Sequence, residues 1–316
     1  MILVCGEALV DLFVSENRGS DLTARIALGG SPMNVAIGLA RLEERVAFCG
    51  GVSSDRFGAA LRRRLQSERV VTDFVIGSDC LTTISVITTD SSGHPSYSFY
   101  GEGKADRQID FAMLPNSLPA EVQALTFGSY TLAVAPVADS YLALARREAN
   151  HRVISVDPNL RPTVTPDLDH WEKRFDAFLS LADIVKASDE DIAQAYGKHA
   201  RIDEIVAGWF ASGPSIIFVT HGSNGATGYL RSGEKLPVSG KPTDVVDTVG
   251  AGDTFHAAIL SYLSKTGKLS KRGVAGLTAT DLGYAIDFAV TAAAITCSRH
   301  GAELPRRAEV EAKISS

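Results

Sequence analysis

Asp247-Thr248-Val249-Gly250-Ala251-Gly252-Asp253-Thr254-Phe255-His256 is the stretch from which the rest of the chain is read. Beyond it Phe255, Ala258, Ile259, Tyr262 and Leu263 recur at helical spacing, so the two glycines stand where a loop enters an amphipathic helix. A helix start presents unpaired N–H groups and a partial positive charge, and glycines let an anion approach that backbone closely. The decapeptide therefore predicts an oxyanion or phosphate cradle. Asp253 is unexpected there, because a carboxylate repels an anion. Two readings stand: Asp253 is a general base beside the cradle, or it only caps and charges the first turn.

Outward from that point, 316 residues bury a large core and fit one large α/β domain with an insertion better than two domains. A hydrophobic fraction of 45% with 22% charged residues is that of a globular chain. No run approaches the roughly 20 apolar residues of a membrane helix. Met1 to Val14 is apolar but lacks a basic start and is broken by Glu7 and Asp11, so it predicts a core strand rather than a signal peptide. Cytoplasmic residence is the expectation. Cys5, Cys49, Cys80 and Cys297 form no CxxC pair, which argues against a zinc site and predicts reduced packing residues. A net charge of −6 disfavours a nucleic-acid surface. Arg62-Arg63-Arg64 falls in a predicted helix from Asp55 to Glu68 and is taken as a solvated face, with Asp55 or Ser54 as its cap.

Ile2 to Cys5, ending at Gly6, has the apolar run of a buried parallel strand, and Asp11 follows near its carboxyl end, where open α/β sheets bind ligands. Gly29-Gly30-Ser31-Pro32-Met33-Asn34 predicts a tight turn into a helix with proline in the first turn and Asn34 facing whatever the turn contacts. Val46 to Cys49, Ala124 to Phe127, Val153 to Asp157, Ile184 to Ala187 and Ile216 to Thr220 are further strands. Helices are predicted near 137–150, 167–181, 189–196 and 202–211, so the β-then-α repetition gives a mostly parallel sheet covered on both faces. Between residues 82 and 100 the pattern alternates, with Ile84 and Val86 before a Ser91-Ser92-Gly93 turn and Tyr97 and Phe99 after it. This predicts a hairpin that, with residues 10–28, makes a small β-sheet lid. Asp281 to Cys297, apolar nearly all round, predicts a buried helix.

The residues now carry a likeness. DTVGAGDTF (247–255) resembles the second signature of the ribokinase-like (PfkB) carbohydrate kinases, and GGSPMNVAIGLARL (29–42) resembles the first. The resemblance covers essentially the whole chain. Within the family the chain is most similar to bacterial fructokinases, through Tyr97 to Gly101, Ala105-Asp106-Arg107, Asp157 to Arg161 and Asp183 to Ser188. It implies a three-layer α/β/α sandwich over residues 1–316 with a lid from about 10–28 and 82–104, and ATP-dependent phosphorylation of a sugar hydroxyl. It implies that Asp253 is the base, that Gly250, Ala251 and Gly252 offer N–H groups to the transferring phosphoryl, and that Asp11, Gly29, Gly30 and Asn34 hold the sugar. Thr220, Gly222 and Gly225, with Lys186 and Ser188, match nucleotide positions. Mg²⁺ is implied on the phosphates, linked through water to Asp191, and a monovalent cation such as K⁺ near Asp247 and the carbonyls from Cys297 to Gly301. Asp191 stands where the family often has glutamate and Ser188 where it has asparagine.

Arg161 is implied to meet either a phosphate or the substrate. Keto-deoxy-sugar-acid kinases share DPNLR but tend to place an arginine after the lid's aromatic pair, where this chain has Gly101 after Phe99 and Tyr100. A neutral sugar, fructose first, follows; Arg107 standing in for that arginine keeps the acid alternative open, as do ribose and nucleoside substrates. A P-loop GxxxxGK[ST] is absent, and Gly6-Glu7-Ala8-Leu9 is no dinucleotide fingerprint. A catalytically silent sugar-binding regulator is the non-enzyme alternative. An exposed lid edge gives a physical motive for a homodimer.

Overall fold

The computed structural model describes residues 1–16, 22–89 and 95–315; the expected turn at 91–93 lies outside them. In chain order the elements are β1 (Ile2–Cys5), β2 (Leu9–Glu16), β3 (Leu22–Gly29), α1 (Ser31–Arg41), β4 (Val46–Cys49), β5 (Gly51–Ser53), α2 (Arg56–Ser67), β6 (Ile76–Ser78), β7 (Ile84–Thr89), β8 (Pro95–Tyr100), β9 (Ala124–Gly128) and α3 (Val137–Glu148). There follow β10 (Val153–Asp157), α4 (Leu168–Leu179), β11 (Ile184–Ser188), α5 (Asp189–Tyr196), α6 (Ile202–Ser212), β12 (Ile216–Thr220), β13 (Ala226–Leu230), β14 (Lys235–Val238), α7 (Ala251–Lys265), α8 (Lys271–Ala275), α9 (Ala279–Cys297) and α10 (Arg307–Ser315).

An eight-stranded sheet in the order β14-β13-β12-β11-β10-β9-β1-β4 forms the centre. Six strands are parallel; β13 and β14 add antiparallel at one edge. Because both faces are covered, its parallel strands carry apolar residues facing both sides rather than only at alternate positions. Ile2, Val4, Val153, Ile184 and Ile216 pack with α1, α2, α7 and α9. Their neighbours Leu3, Cys5, Ile154, Val185 and Ile217 pack with α3, α4 and α6 on the other face. This is the three-layer α/β/α sandwich.

A second sheet, β3-β2-β7-β8, stands apart from the first. Its outer pairs are antiparallel hairpins, but β2 and β7 run parallel, so the sheet is mixed. On its edge strand β3, Leu22 and Ile26 are exposed at 71% and 54%. Asp55 caps α2, accepting from the Gly58 N–H at 2.7 Å. The final long helix begins two residues earlier than predicted, since Thr278 and Asp281 close a capping box there. It is not buried all round: Tyr284 is 63% exposed. Cys5 and Cys49 are buried free thiols, and Cys80 and Cys297 are half-buried. No described helix is long and apolar enough to cross a membrane.

Candidate active site

Parallel strands point the same way, so their carboxyl ends bring β1, β9, β10, β11 and β12 to one edge of the sheet. Over that edge sits the start of α7. Gly250 adopts φ 79°, a left-handed conformation that glycine takes without a steric penalty. Asp253, 8% exposed, points back toward α1: its Oδ1 accepts from Ser31 Oγ at 2.6 Å and its Oδ2 from Asn34 Nδ2 at 2.8 Å. Ser31 therefore does not cap its own helix, whose N-cap position is Gly30 with no side-chain bond. Nor does Asp253 cap α7, since its oxygens serve α1. Of the three expected anion donors, Ala251 has its N–H on the Thr248 carbonyl at 3.2 Å, which leaves Gly250 and Gly252 the more open. A Cβ on Gly252 would lie 3.0 Å from Lys186 Nζ, so the ammonium rests against the bare face of this turn.

Lys186, 4% exposed, donates to Asp157 Oδ2 at 3.0 Å. Burial pushes the Asp157 carboxyl up, partly opposed by Lys186, to about 7. Burial depresses the ammonium, but Asp157, Asp191 and Asp253 outweigh it and raise its pKa. His256, one turn beyond Asp253, has its Nε2 2.7 Å from Ser155 Oγ, and burial drives its pKa down to about 3, so it is neutral.

On the other side of Asp253 lie the sugar candidates. A Cβ on Gly29 would come within 2.8 Å of Asp11 Oδ2, and one on Gly30, whose φ is 106°, within 2.8 Å of the Glu7 carbonyl. Burial raises the Asp11 carboxyl to about 6 against the pull of Ser85 and Arg161. Glu7 is 2% exposed, and burial lifts its carboxyl to about 8 against the pull of Ser129 and Arg161. Arg161 Nη1 donates to the Leu160 carbonyl at 3.0 Å, and its charge is felt by both Glu7 and Asp11. Tyr100 is 62% exposed. The Arg107 guanidinium lies over the Tyr130 ring at 4.8 Å, and its Nη2 is 2.1 Å from where a Gly101 Cβ would be. Arg107 thus fills the space that the missing Gly101 side chain leaves.

The acids that the resemblance links to metals make hydrogen bonds within the protein. Asp191 accepts from Leu160 N–H, Ser188 N–H and Ser188 Oγ, which closes the capping box of α5. These bonds fix the start of α5. Asp247 accepts from Val249 N–H at 3.0 Å and Gly301 N–H at 2.8 Å, and the Cys297 carbonyl accepts from Val246 and Asp247, so these groups tie the 247 loop to the end of α9. Among the described residues no group of three or more His, Cys, Asp or Glu is placed to hold a metal. The residues present thus do not form a protein-held magnesium site. Thr220 ends β12, and Gly222 leads an exposed turn open to solvent, while Gly225 packs beneath Val238.

The model of the pfkB family carbohydrate kinases matches residues 1–308. This chain belongs to that family. A fructokinase of Rhizobium leguminosarum bv. trifolii is 38% identical over 277 residues, 88% of this chain and 84% of its own. The crystal structure of a Xylella fastidiosa fructokinase with bound ATP superposes with a TM-score of 0.89 at 25% identity, covering 99% of this chain and 98% of its own. A Vibrio cholerae O395 fructokinase, solved with fructose, ADP and calcium ion, gives 0.82 at 28% identity over 98% and 97%.

The pfkB kinase fold brings Asp11, Gly29, Gly30, Asn34, Arg161, Lys186 and the Gly250–Asp253 turn to one edge of the sheet. Sequence reasoning passed over Ser31, Glu7 and His256. Each left a signal: Glu7 is a carboxyl inside an otherwise apolar segment, and His256 lies at i+3 from Asp253, hence on its face of the helix. Glu7 also sets a pH dependence. An acid whose folded pKa is raised stabilises the fold at low pH, and that contribution is lost as pH rises through the folded value. From their values of about 8, 7 and 6, Glu7, Asp157 and Asp11 together make thermal stability fall between about pH 5 and 8. Glu7→Gln keeps a neutral group of the same shape and flattens that decline in melting scans at pH 5.5 and 8; an unchanged slope would show that Glu7 is not the acid responsible.

Proposed function

We propose that this kinase is a cytoplasmic fructokinase, transferring the γ-phosphoryl group of ATP to a hydroxyl of fructose. The observation that carries it is the carboxylate of Asp253, oriented by Ser31 and Asn34 beside an open glycine turn with a buried ammonium against it. Phosphoryl transfer needs chiefly in-line positioning and neutralisation of charge. Asp253 takes the proton of the attacking hydroxyl. The Gly250 and Gly252 N–H groups and Lys186 meet the negative charge on the moving phosphoryl. The nucleotide enters as its magnesium complex, a substrate whose phosphates supply the ion's oxygen ligands. Its phosphates face α7, with Thr220, Gly222 and Gly225 along its ribose side. Asp11, Asn34 and Arg161 face the sugar with acceptors and donors for several hydroxyls at once.

Fructose is favoured over a sugar acid because Arg107, the one candidate for a carboxylate fork, is stacked on Tyr130 and packed against Gly101. The named relatives, fructokinases all, support the same choice. Coupled ADP release with fructose, ribose, tagatose, 2-keto-3-deoxygluconate and inosine tests it. Fructose is expected to exceed each other sugar by about 10²-fold or more in kcat/KM, since a buried polar group left unpaired by the wrong substrate is costly. Turnover of the keto-deoxy acid alone would overturn it. A homodimer joined through the β3 edge belongs to the same reading and is checked by mass in light scattering.

A further inference from the structure

Beneath the start of α7 lies a small, partly open pocket of about 10 Å³, lined by Ser31, Pro32, Val35, Thr126, Phe127, Asp157 and His256 among others. That is the size that admits one water. Two of its lining groups, Asp157 Oδ1 and His256 Nδ1, are buried polar atoms without a protein hydrogen bond. His256 Nδ1 is 3.7 Å from Asp157 Oδ2, too long for a direct bond. Ser155 Oγ lies 2.7 Å from His256 Nε2; in the tautomer in which Ser155 donates this bond, the hydrogen of neutral His256 sits on Nδ1. Ser31 Oγ spends its hydrogen on Asp253 and keeps its lone pairs free.

We propose that one buried water in this cavity accepts from His256 Nδ1–H and donates to Asp157 Oδ1 and Ser31 Oγ, and that this chain carries the reaction's proton from Asp253 to Asp157. The water then makes three hydrogen bonds, the usual number for a buried one. Once Asp253 has taken the sugar's proton, the Ser31 hydroxyl and the water both turn, so that Asp253 O–H donates to Ser31 Oγ and Ser31 O–H donates to the water; the Asp253 proton then passes to Ser31 Oγ as the Ser31 hydrogen moves to the water. A water hydrogen moves to Asp157 Oδ1 in turn. Three O–H bonds break and three form; Asp253 is again a carboxylate, and Asp157 is a neutral acid still beside Lys186. Four elements face Asp157 with ionisable groups: Lys186 on β11, His256 and Asp253 on α7, Asp191 on α5 and Cys5 on β1. Its carboxyl, lifted by burial to about 7, is suited to take a proton near neutral pH.

The inference rests on the kinase reading, and its test separates the two. In wild type, kcat has an acidic limb near pH 7, where Asp157 must be ionised. Asp157→Asn still accepts from Lys186 but cannot take the proton, so that limb is lost and kcat falls about tenfold or more while both KM values hold. Val35→Ile leaves every polar group in place and fills the cavity; kcat is expected to fall by a similar factor. A high-resolution crystal structure should show one water bonded to Ser31, Asp157 and His256. A dry cavity, or an unmoved acidic limb in Asp157→Asn, or full turnover in Val35→Ile overturns the relay while leaving the kinase assignment intact. No sugar-dependent ADP from wild type overturns the assignment itself.

Discussion

Asp253→Asn is expected to lower kcat by about 10²–10⁴-fold, the range a positioned base contributes, with the fold and sugar affinity kept. The variant is clean because of how the carboxylate is held. Asn34 can only donate through Nδ2, and the new amide oxygen accepts that bond. The amide nitrogen then faces Ser31, whose hydroxyl turns from donor to acceptor. Asp253→Ala would instead strand both partners and mix lost stability with lost chemistry. Steady-state kinetics with fructose and ATP measure the first part, and fructose-induced thermal stabilisation of the variant measures the second. Retention of turnover within a few-fold would remove Asp253 as the base and leave the silent sugar-binding regulator as the better reading.

The parts of this site that are local in sequence were legible there. The glycine turn at 250–252, the helix after it and the first turn of α1 each follow from spacing alone, because glycine, proline and apolar periodicity act within a few residues. Legible too was the sandwich, since strands buried on both faces carry unbroken apolar runs. Pairings across the fold were not. Ser31 meets Asp253 over 222 positions of sequence, and Thr126 and Ser155 reach His256 over 130 and 101. Ser-Pro at a helix start is explained by capping until the packing of α1 on α7 shows where the hydroxyl goes. The same limit explains Asp191. A carboxylate three residues after a serine fits a capping box as well as a metal link, and its second oxygen accepts from Leu160 N–H, 31 positions away, which no local pattern shows. The parallel β2–β7 pairing that makes the small sheet mixed likewise depends on the path of the whole segment between them.

Lys186→Met is expected to lower kcat by about 10²–10³-fold, because it removes the only side-chain cation set against the glycine turn among the described residues. It also removes the partner of a buried acid. Breaking a buried pair from one side typically costs about 3–5 kcal/mol. That cost here depends on pH. Without Lys186 nothing of its size opposes the burial that already holds Asp157 near 7, so the acid stays neutral at pH 6 and bears an unpaired charge only in alkali. The variant should therefore melt close to wild type at pH 6 and well below it at pH 8.5. Adding Asp157→Asn removes the stranded charge. In the double variant, stability should return toward wild type at both pH values while turnover stays low. Turnover in the double variant equal to that of Asp157→Asn alone would make Lys186 a counter-ion to Asp157 and nothing more. Restored stability with turnover well below that of Asp157→Asn alone would place the ammonium in the reaction, where a phosphoryl group with its charge spread over three oxygens gains most from a cation that water does not screen.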